Sequence, residues 1–308
     1  MIRSVKHISS LLSLITIVLS LVACSRSAAD RALARAESLM DEHPDSALVV
    51  LQSILPEKLH SRQSNALYAL LLTQARDKTY RFDTSDSLIS IAVDYYVDNG
   101  DWERAAWSHF YRGAVYFNKK DYRSAISEIL TARELSYGGG NPYLTAKIHE
   151  QIADIYAASF DMSKAISNRH VAAANFRLAG KKLNELYAFV DMAREYGRDG
   201  RVERSIALLD SIMQNADTLS NPDLSGYIQD SYIWPLMKSG RTEEALQRFR
   251  KSRAVWPDGE DEIQDLPGIA IMYSRLGMPD SAEYFMVREP SPGPTLRHLR
   301  PPMAWRPA

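Results

Sequence analysis

At 308 residues the chain is long enough for one large domain or two ordinary ones, and an apolar share of 45% excludes a disordered chain. Lys and Arg number 37 against 38 Asp and Glu, so the balance writes in neither a basic surface for nucleic acid nor an acidic solvating segment. In chain order the first element is a leader, in which Arg3 and Lys6 precede an uncharged apolar run from Ile8 to Val22. The run is shorter than the roughly 20 residues that a membrane-crossing helix needs, and small residues and a cysteine follow it at once. Residues 1–23 are therefore expected to be a cleaved secretory signal.

Leu21, Val22, Ala23 and Cys24 resemble the bacterial lipobox, in which a small residue precedes the cysteine that is acylated on sulfur and becomes the new N-terminus. The resemblance implies lipidation of Cys24 and a membrane anchor through that lipid, since several acyl chains on one residue bind a bilayer far more firmly than one. Cys24 is the single cysteine of the chain, so no thiol remains for a disulfide, a metal thiolate or a nucleophile. Ser25 stands where inner-membrane retention in enteric-type bacteria uses Asp, and no acidic cluster follows Cys24. By those family rules the expected location is the bacterial cell envelope, at the outer membrane and facing the periplasm.

From there to residue 289 the chain reads as one all-α domain, helix after helix with short breaks and almost no alternating, β-branched strand signal. The segments fall into pairs: Ala29–Met40 with Pro44–Leu55, Ser64–Lys78 with Ser85–Val97, Trp102–Asn118 with Tyr122–Leu135, and Tyr143–Ser159 with Met162–Leu178. Leu183–Tyr196 with Val202–Asn215, Pro222–Lys238 with Thr242–Val255, and Glu262–Leu276 with a short helix from Pro279 complete the series. Pro235, inside a first helix, is expected to kink it. Six prolines fall in residues 290–308, which are expected to form a disordered tail.

The pairs share a phase. A small residue on the first helix is followed twelve positions later by another near the start of the second, as in Gly113 and Ala125, Ala153 and Ala165, Ala193 and Ser205, and Ala270 and Ala282. Antiparallel helices joined by a tight turn approach closely only where neither carries bulk at the crossing. Thr73 with Ser85, Ala36 with Ala47 and Ile233 with Ala245 extend the series less tidily. Ala47, Ser85, Ala125, Ala165, Ser205, Ala245 and Ala282 then follow at intervals of 38, 40, 40, 40, 40 and 37 residues, which a generic helical bundle does not require.

With Tyr116, Tyr156, Tyr196 and Tyr273 three positions after the first small residue, these pairs resemble the tetratricopeptide repeat (TPR) family over about residues 29–289. Helix starts such as His43-Pro44-Asp45-Ser46-Ala47 and Met278-Pro279-Asp280-Ser281-Ala282 resemble the TPR regions of Bacteroidetes-type lipoproteins and regulators. The resemblance implies a right-handed α-solenoid of six to seven helix hairpins, with a period near 40 residues in place of the family's usual 34.

No catalytic constellation stands out. His149-Glu150 opens like a zinc-protease helix motif, but Ala153 occupies the second ligand position, and His109 and His149, one period apart, make an incomplete metal set. Gly138-Gly139-Gly140 lacks the strand and Gly-Lys-Ser/Thr context of a phosphate loop. The expectation is a non-enzyme with no cofactor, metal, nucleotide or nucleic-acid partner.

What the resemblance implies instead is a concave groove lined by first helices, taking another protein or a peptide. Carried onto this chain, its groove positions are Trp107, Phe110, Phe117 and Asn118, then Lys147, Glu150 and Asp154. Tyr187, Arg194 and Arg198 follow, with Tyr227, Asp230, Trp234 and Lys238 in the sixth pair. Aromatics supply contact area at low entropy cost, and Arg anchors carboxylates. The expected function is an envelope-anchored interaction scaffold, adaptor or signalling input. The alternative is a peptide- or glycan-capture lipoprotein serving outer-membrane uptake.

Overall fold

The computed structural model describes residues 28–214, 220–255 and 266–287. The expected leader, Cys24, the proline-rich tail and the start of the helix expected from Glu262 lie outside these residues. Within them the chain forms fourteen α-helices and one short 3-10 turn, Pro56–Lys58, with no strand. They are α1 Ala28–Leu39, α2 Pro44–Gln52, α3 Arg62–Lys78, α4 Ser87–Asp98, α5 Trp102–Asn118, α6 Tyr122–Ser136 and α7 Pro142–Ala158. Then come α8 Met162–Leu178, α9 Lys182–Arg198, α10 Val202–Met213, α11 Pro222–Lys238, α12 Thr242–Val255, α13 Leu266–Arg275 and α14 Pro279–Val287.

Local chemistry sets these lengths. Asp101, Asp121, Asn141, Asp161 and Asn221 each accept a hydrogen bond from the backbone N–H three residues on, which caps the helix that starts there. At the other end, the residue before the cap adopts positive φ: Gly100, Lys120, Gly140, Phe160, Gly180, Gly200 and Gly240. This left-handed residue lets the next N–H reach back to the last turn, as Asp121 N does to Tyr116 O at 3.0 Å and Asp161 N to Tyr156 O at 2.9 Å. A 17-residue helix and a three-residue turn make a 20-residue half-repeat, seen at α5, α7, α8, α9 and α11. The period near 40 thus arises from helices nearly one turn longer than a 34-residue repeat allows.

Consecutive helices pack in antiparallel pairs, and successive first helices also approach one another: α1 on α3, α3 on α5, α5 on α7, and α9 on α11. This neighbour-only packing is that of an α-solenoid. The small residues mark the crossings. A Cβ on Gly113 would stand 2.7 Å from Ile129 and 3.3 Å from the carbonyl of Ala125. Ala153, Ala165, Ala36 and Ala47 are completely buried. At the fifth pair the Ser205 hydroxyl donates to Ala193 O at 2.7 Å across the crossing.

One expectation is corrected. Thr73 is buried, but Ser85 is exposed and precedes α4, because the second pair is joined by an eight-residue turn, 79–86, instead of three residues. The register resumes inside α4, where Ile89, Ala92 and Tyr96 are buried at the positions of Ile129, Ala132 and Ser136 one period on. Helix α11 continues through Pro235 to Lys238, and the proline ring lies against Gly197 of α9.

Candidate functional site

The face lined by first helices holds a cavity of about 520 Å³, within the range of ligand pockets. Its walls repeat the period. Positions 114, 154 and 194 carry Ala, Asp and Arg, and positions 118, 158 and 198 carry Asn, Ala and Arg, on α5, α7 and α9 in turn. Phe110 and Phe117 of α5, with Tyr122 at the start of α6, make one wall aromatic. The long turn after α3 adds Tyr80 and Phe82. That turn is held down by an ion pair between Arg76 and Asp83.

The opposite wall is ionic. Arg169, on second helix α8, reaches between α7 and α9 with only 4% of its side chain exposed. Its Nε donates to Glu195 Oε1 at 3.0 Å, one Nη donates to Asp154 and the other to Glu150 O at 3.3 Å, and Asp191 Oδ2 lies 3.6 Å away. Asp191 in turn accepts from Tyr227 Oη at 2.5 Å. Burial disfavours the Arg169 charge, but Glu195, Asp191 and Glu150 together more than offset it and hold its pKa above the usual range. Three carboxylates share this one guanidinium, so each receives only part of the compensation. Burial therefore pushes Glu195 up to about 7, with Asp191 adding to the rise and Arg169 opposing it.

Arg194 is paired with Asp230 at 3.5 Å and lies 5.2 Å from the Tyr227 ring centre. Arg198 is exposed at the rim, where partial desolvation and the like charge of Arg194 lower its pKa. Tyr80 and Lys120 line the cavity with positive φ, and Phe160, one period further on, shares it, whereas the equivalent residues of the next two pairs are Gly200 and Gly240. Non-glycine residues rarely hold this conformation, so side chains are kept at these turns against a backbone preference.

Of the groove positions expected from sequence, Phe110, Phe117, Asn118, Lys147, Asp154, Arg194 and Arg198 line this cavity. Glu150 is buried beneath it and pairs with Lys147 at 2.5 Å. Trp107 packs behind Phe110 and stacks on Tyr111. Tyr187 and Tyr227 are core residues, each 3% exposed, with their rings 5.8 Å apart. Asp230 bridges Arg194 and Arg253. Trp234 and Lys238 stack on each other, the ammonium 4.5 Å from the ring centre, one pair beyond the cavity.

Arg169 was missed because it stands on a second helix, and Asp191 and Glu195 because the register carried onto α9 selected Tyr187, Arg194 and Arg198 instead. The available signal was a lone Arg169 on a face otherwise made of Ala165, Ile166, Ala172, Ala173 and Phe176, and two acids one helical turn apart on α9. His109 lies 2.8 Å from Glu128 and His149 2.8 Å from Asn168, each a bond between the two helices of its own pair. Among the described residues no group of three or more His, Cys, Asp or Glu is arranged to hold a metal ion, and no helix is long and apolar enough to cross a membrane.

No family model matches the chain, and no curated protein matches it either. Solved structures do. One is a Rap protein complexed with competence and sporulation factor, similar over 83% of this chain and 74% of its own, with 14% identity and a TM-score of 0.63. Another is the P58(IPK) TPR domain, matched over 87% of this chain and 76% of its own at 17% identity and a TM-score of 0.31. The helical pairs, their crossings and the first of these likenesses give the chain a TPR-type α-solenoid fold.

Proposed function

We propose that this TPR-type repeat protein is a lipid-anchored adaptor of the bacterial cell envelope that takes a peptide segment of a partner protein into the cavity between its second and fifth pairs. The observation that carries the reading is the cavity itself. One wall offers aromatic area through Phe117 and Tyr122, backed by the buried Phe110, and the other offers charged groups already fixed by neighbours. A side chain with a preset geometry loses little entropy on binding, which favours a ligand of defined length and charge. A protein of similar fold, the Rap protein, is complexed with competence and sporulation factor, which supports partner binding as the use of this fold.

Sugar capture finds less support. The cavity rings of Phe117 and Tyr122 are tilted by 53°, and Trp107 stacks on Tyr111, which is itself buried. A flat platform of the kind that stacks on a sugar is therefore not assembled here. The anchor rests on the Leu21–Cys24 pattern and on the uniqueness of the cysteine.

The test is a pull-down from detergent-solubilised envelopes with the full chain, beside Phe117→Ala combined with Arg198→Glu. Both side chains border open space, so the variant keeps its helical circular dichroism. A partner retained by the native chain and lost by the folded variant supports the cavity, and equal retention overturns it. In the same cells Cys24→Ala should move the protein from the membrane to the soluble fraction, and continued membrane association removes the anchor.

A further inference from the structure

The ionic wall contains more acid than its one buried base compensates. Asp154, Asp191 and Glu195 converge on Arg169, while Lys147 is committed to Glu150 and Arg194 to Asp230. Glu195 has 3% of its side chain exposed and lines the cavity, and its Oε2 accepts no hydrogen bond from the protein. Asp191 Oδ2, one helical turn away and also on the lining, accepts none either. A buried carboxylate oxygen left without a donor is costly, so the arrangement persists with a charge deficit that a donor from outside can meet.

We infer that Asp191 and Glu195 form a subsite for an organic N–H cation, the ammonium or guanidinium of a bound peptide. The inference rests on the peptide-cavity reading and adds to it the charge of the group that is recognised. The cation donates to Glu195 Oε2 and Asp191 Oδ2 and restores the balance that Arg169 alone leaves short. The groups acting on Glu195 are Arg169 from α8 and Asp191 and Arg198 from its own helix; beyond them, Arg169 also holds Asp154 and Glu150 O of α7, Tyr227 of α11 donates to Asp191, and Arg194 lies beside Arg198. In the empty site a proton on Glu195 serves the same end, so proton and ligand cation compete. Cation binding therefore strengthens as pH rises through about 7.

The experiment uses fluorescent short peptides and the full chain in detergent, with fluorescence polarisation as readout. One series has free or acetylated amino termini, and a second places Lys, Arg or norleucine at each position. Peptides with a cation are expected to bind about tenfold tighter than their acetylated or norleucine counterparts. Glu195→Gln and Asp191→Asn are each expected to cut that ratio towards one. Acetylation erasing the preference assigns the cation to the N-terminus, and norleucine erasing it at one position assigns it to a side chain. The cationic peptides should also weaken several-fold from about pH 8 to about pH 6, with the cation-free ones unchanged. Peptides that bind without a preference for cations, or a preference that survives both substitutions, overturn the subsite and leave the cavity reading standing. If no peptide binds the native chain, the cavity reading falls and the subsite with it.

Discussion

On α5 the cavity positions 110, 114 and 117 carry Phe, Ala and Phe, while on α9 positions 191, 194, 195 and 198 carry Asp, Arg, Glu and Arg. The two helices have the same length, enter and leave through three-residue turns, and lie two periods apart in one register. What differs is how each wall is held. The α5 wall is fixed by contact: Trp107, Phe110 and Tyr111 pack edge-to-face or stacked, and Gly113 lets Ile129 close in behind. The α9 wall is fixed by charge, through one guanidinium shared among three carboxylates. The repeat thus sets where side chains stand and leaves their chemistry free, which is how one scaffold acquires a face with two characters.

The comparison is broken most directly at Arg169. Arg169→Met removes the shared cation and strands the buried Asp191 and Glu195 along with the half-buried Asp154, which should cost about 3–5 kcal/mol in urea or thermal unfolding at neutral pH. A loss under about 1 kcal/mol would mean that the acidic wall does not depend on this base. On the aromatic wall, Gly113→Ala gains helix propensity but drives a methyl into Ile129, and the overpacking should prevail by about 1–2 kcal/mol. Adding Ile129→Val should recover part of that loss, because it deletes one of the two colliding atoms.

Glu195→Gln sharpens the contrast through pH. The folded state raises this carboxyl from near 4.5 to about 7, so its contribution to stability is fully present below about 4.5 and is lost as pH rises through about 7. The native chain should therefore lose on the order of 1 kcal/mol relative to the variant between about pH 4.5 and about pH 8. Melting temperatures of both chains at the two ends of that window measure it, and parallel curves would show that Glu195 is not perturbed. Lys120→Gly has the smallest effect. Relief of the left-handed backbone exceeds the added freedom of the unfolded chain, and stability should rise by about 0.5 kcal/mol while ligand affinity falls with the lost side chain. A loss of stability would place Lys120 in the packing instead.

Most of the fold was written locally. Asp101, Asp121, Asn141 and Asp161 announce helix starts, Gly100, Gly140, Gly200 and Gly240 announce ends, and the small residues of the crossings follow at fixed distance. Ser85 misled because a turn of eight residues displaced the helix start while the register of Ile89 and Ala92 carried on unchanged. The cavity was legible where it depends on one helix face, as for Phe117, Asp154 and Arg198. It was not legible at Arg169, whose role comes from reaching across a gap between two helices that flank its own in sequence. Nor does the pattern reveal that Tyr187 and Tyr227 turn inward: a first helix has two neighbours, and the stripe facing the next pair adjoins the stripe facing the cavity.

The turns impose one more consequence, on how this chain can be rewritten. Lys120-Asp121 and Phe160-Asp161 are the same left-handed residue and cap in successive pairs. Deleting residues 121–160 joins Lys120 directly to Asp161, so a whole module can be excised without inventing a junction, and the same cut read in reverse duplicates it. A deletion of any other length rotates everything downstream by about 100° per residue about the helix axis, carrying the cavity side chains out of line. The natural unit of length change in this protein is therefore the full repeat.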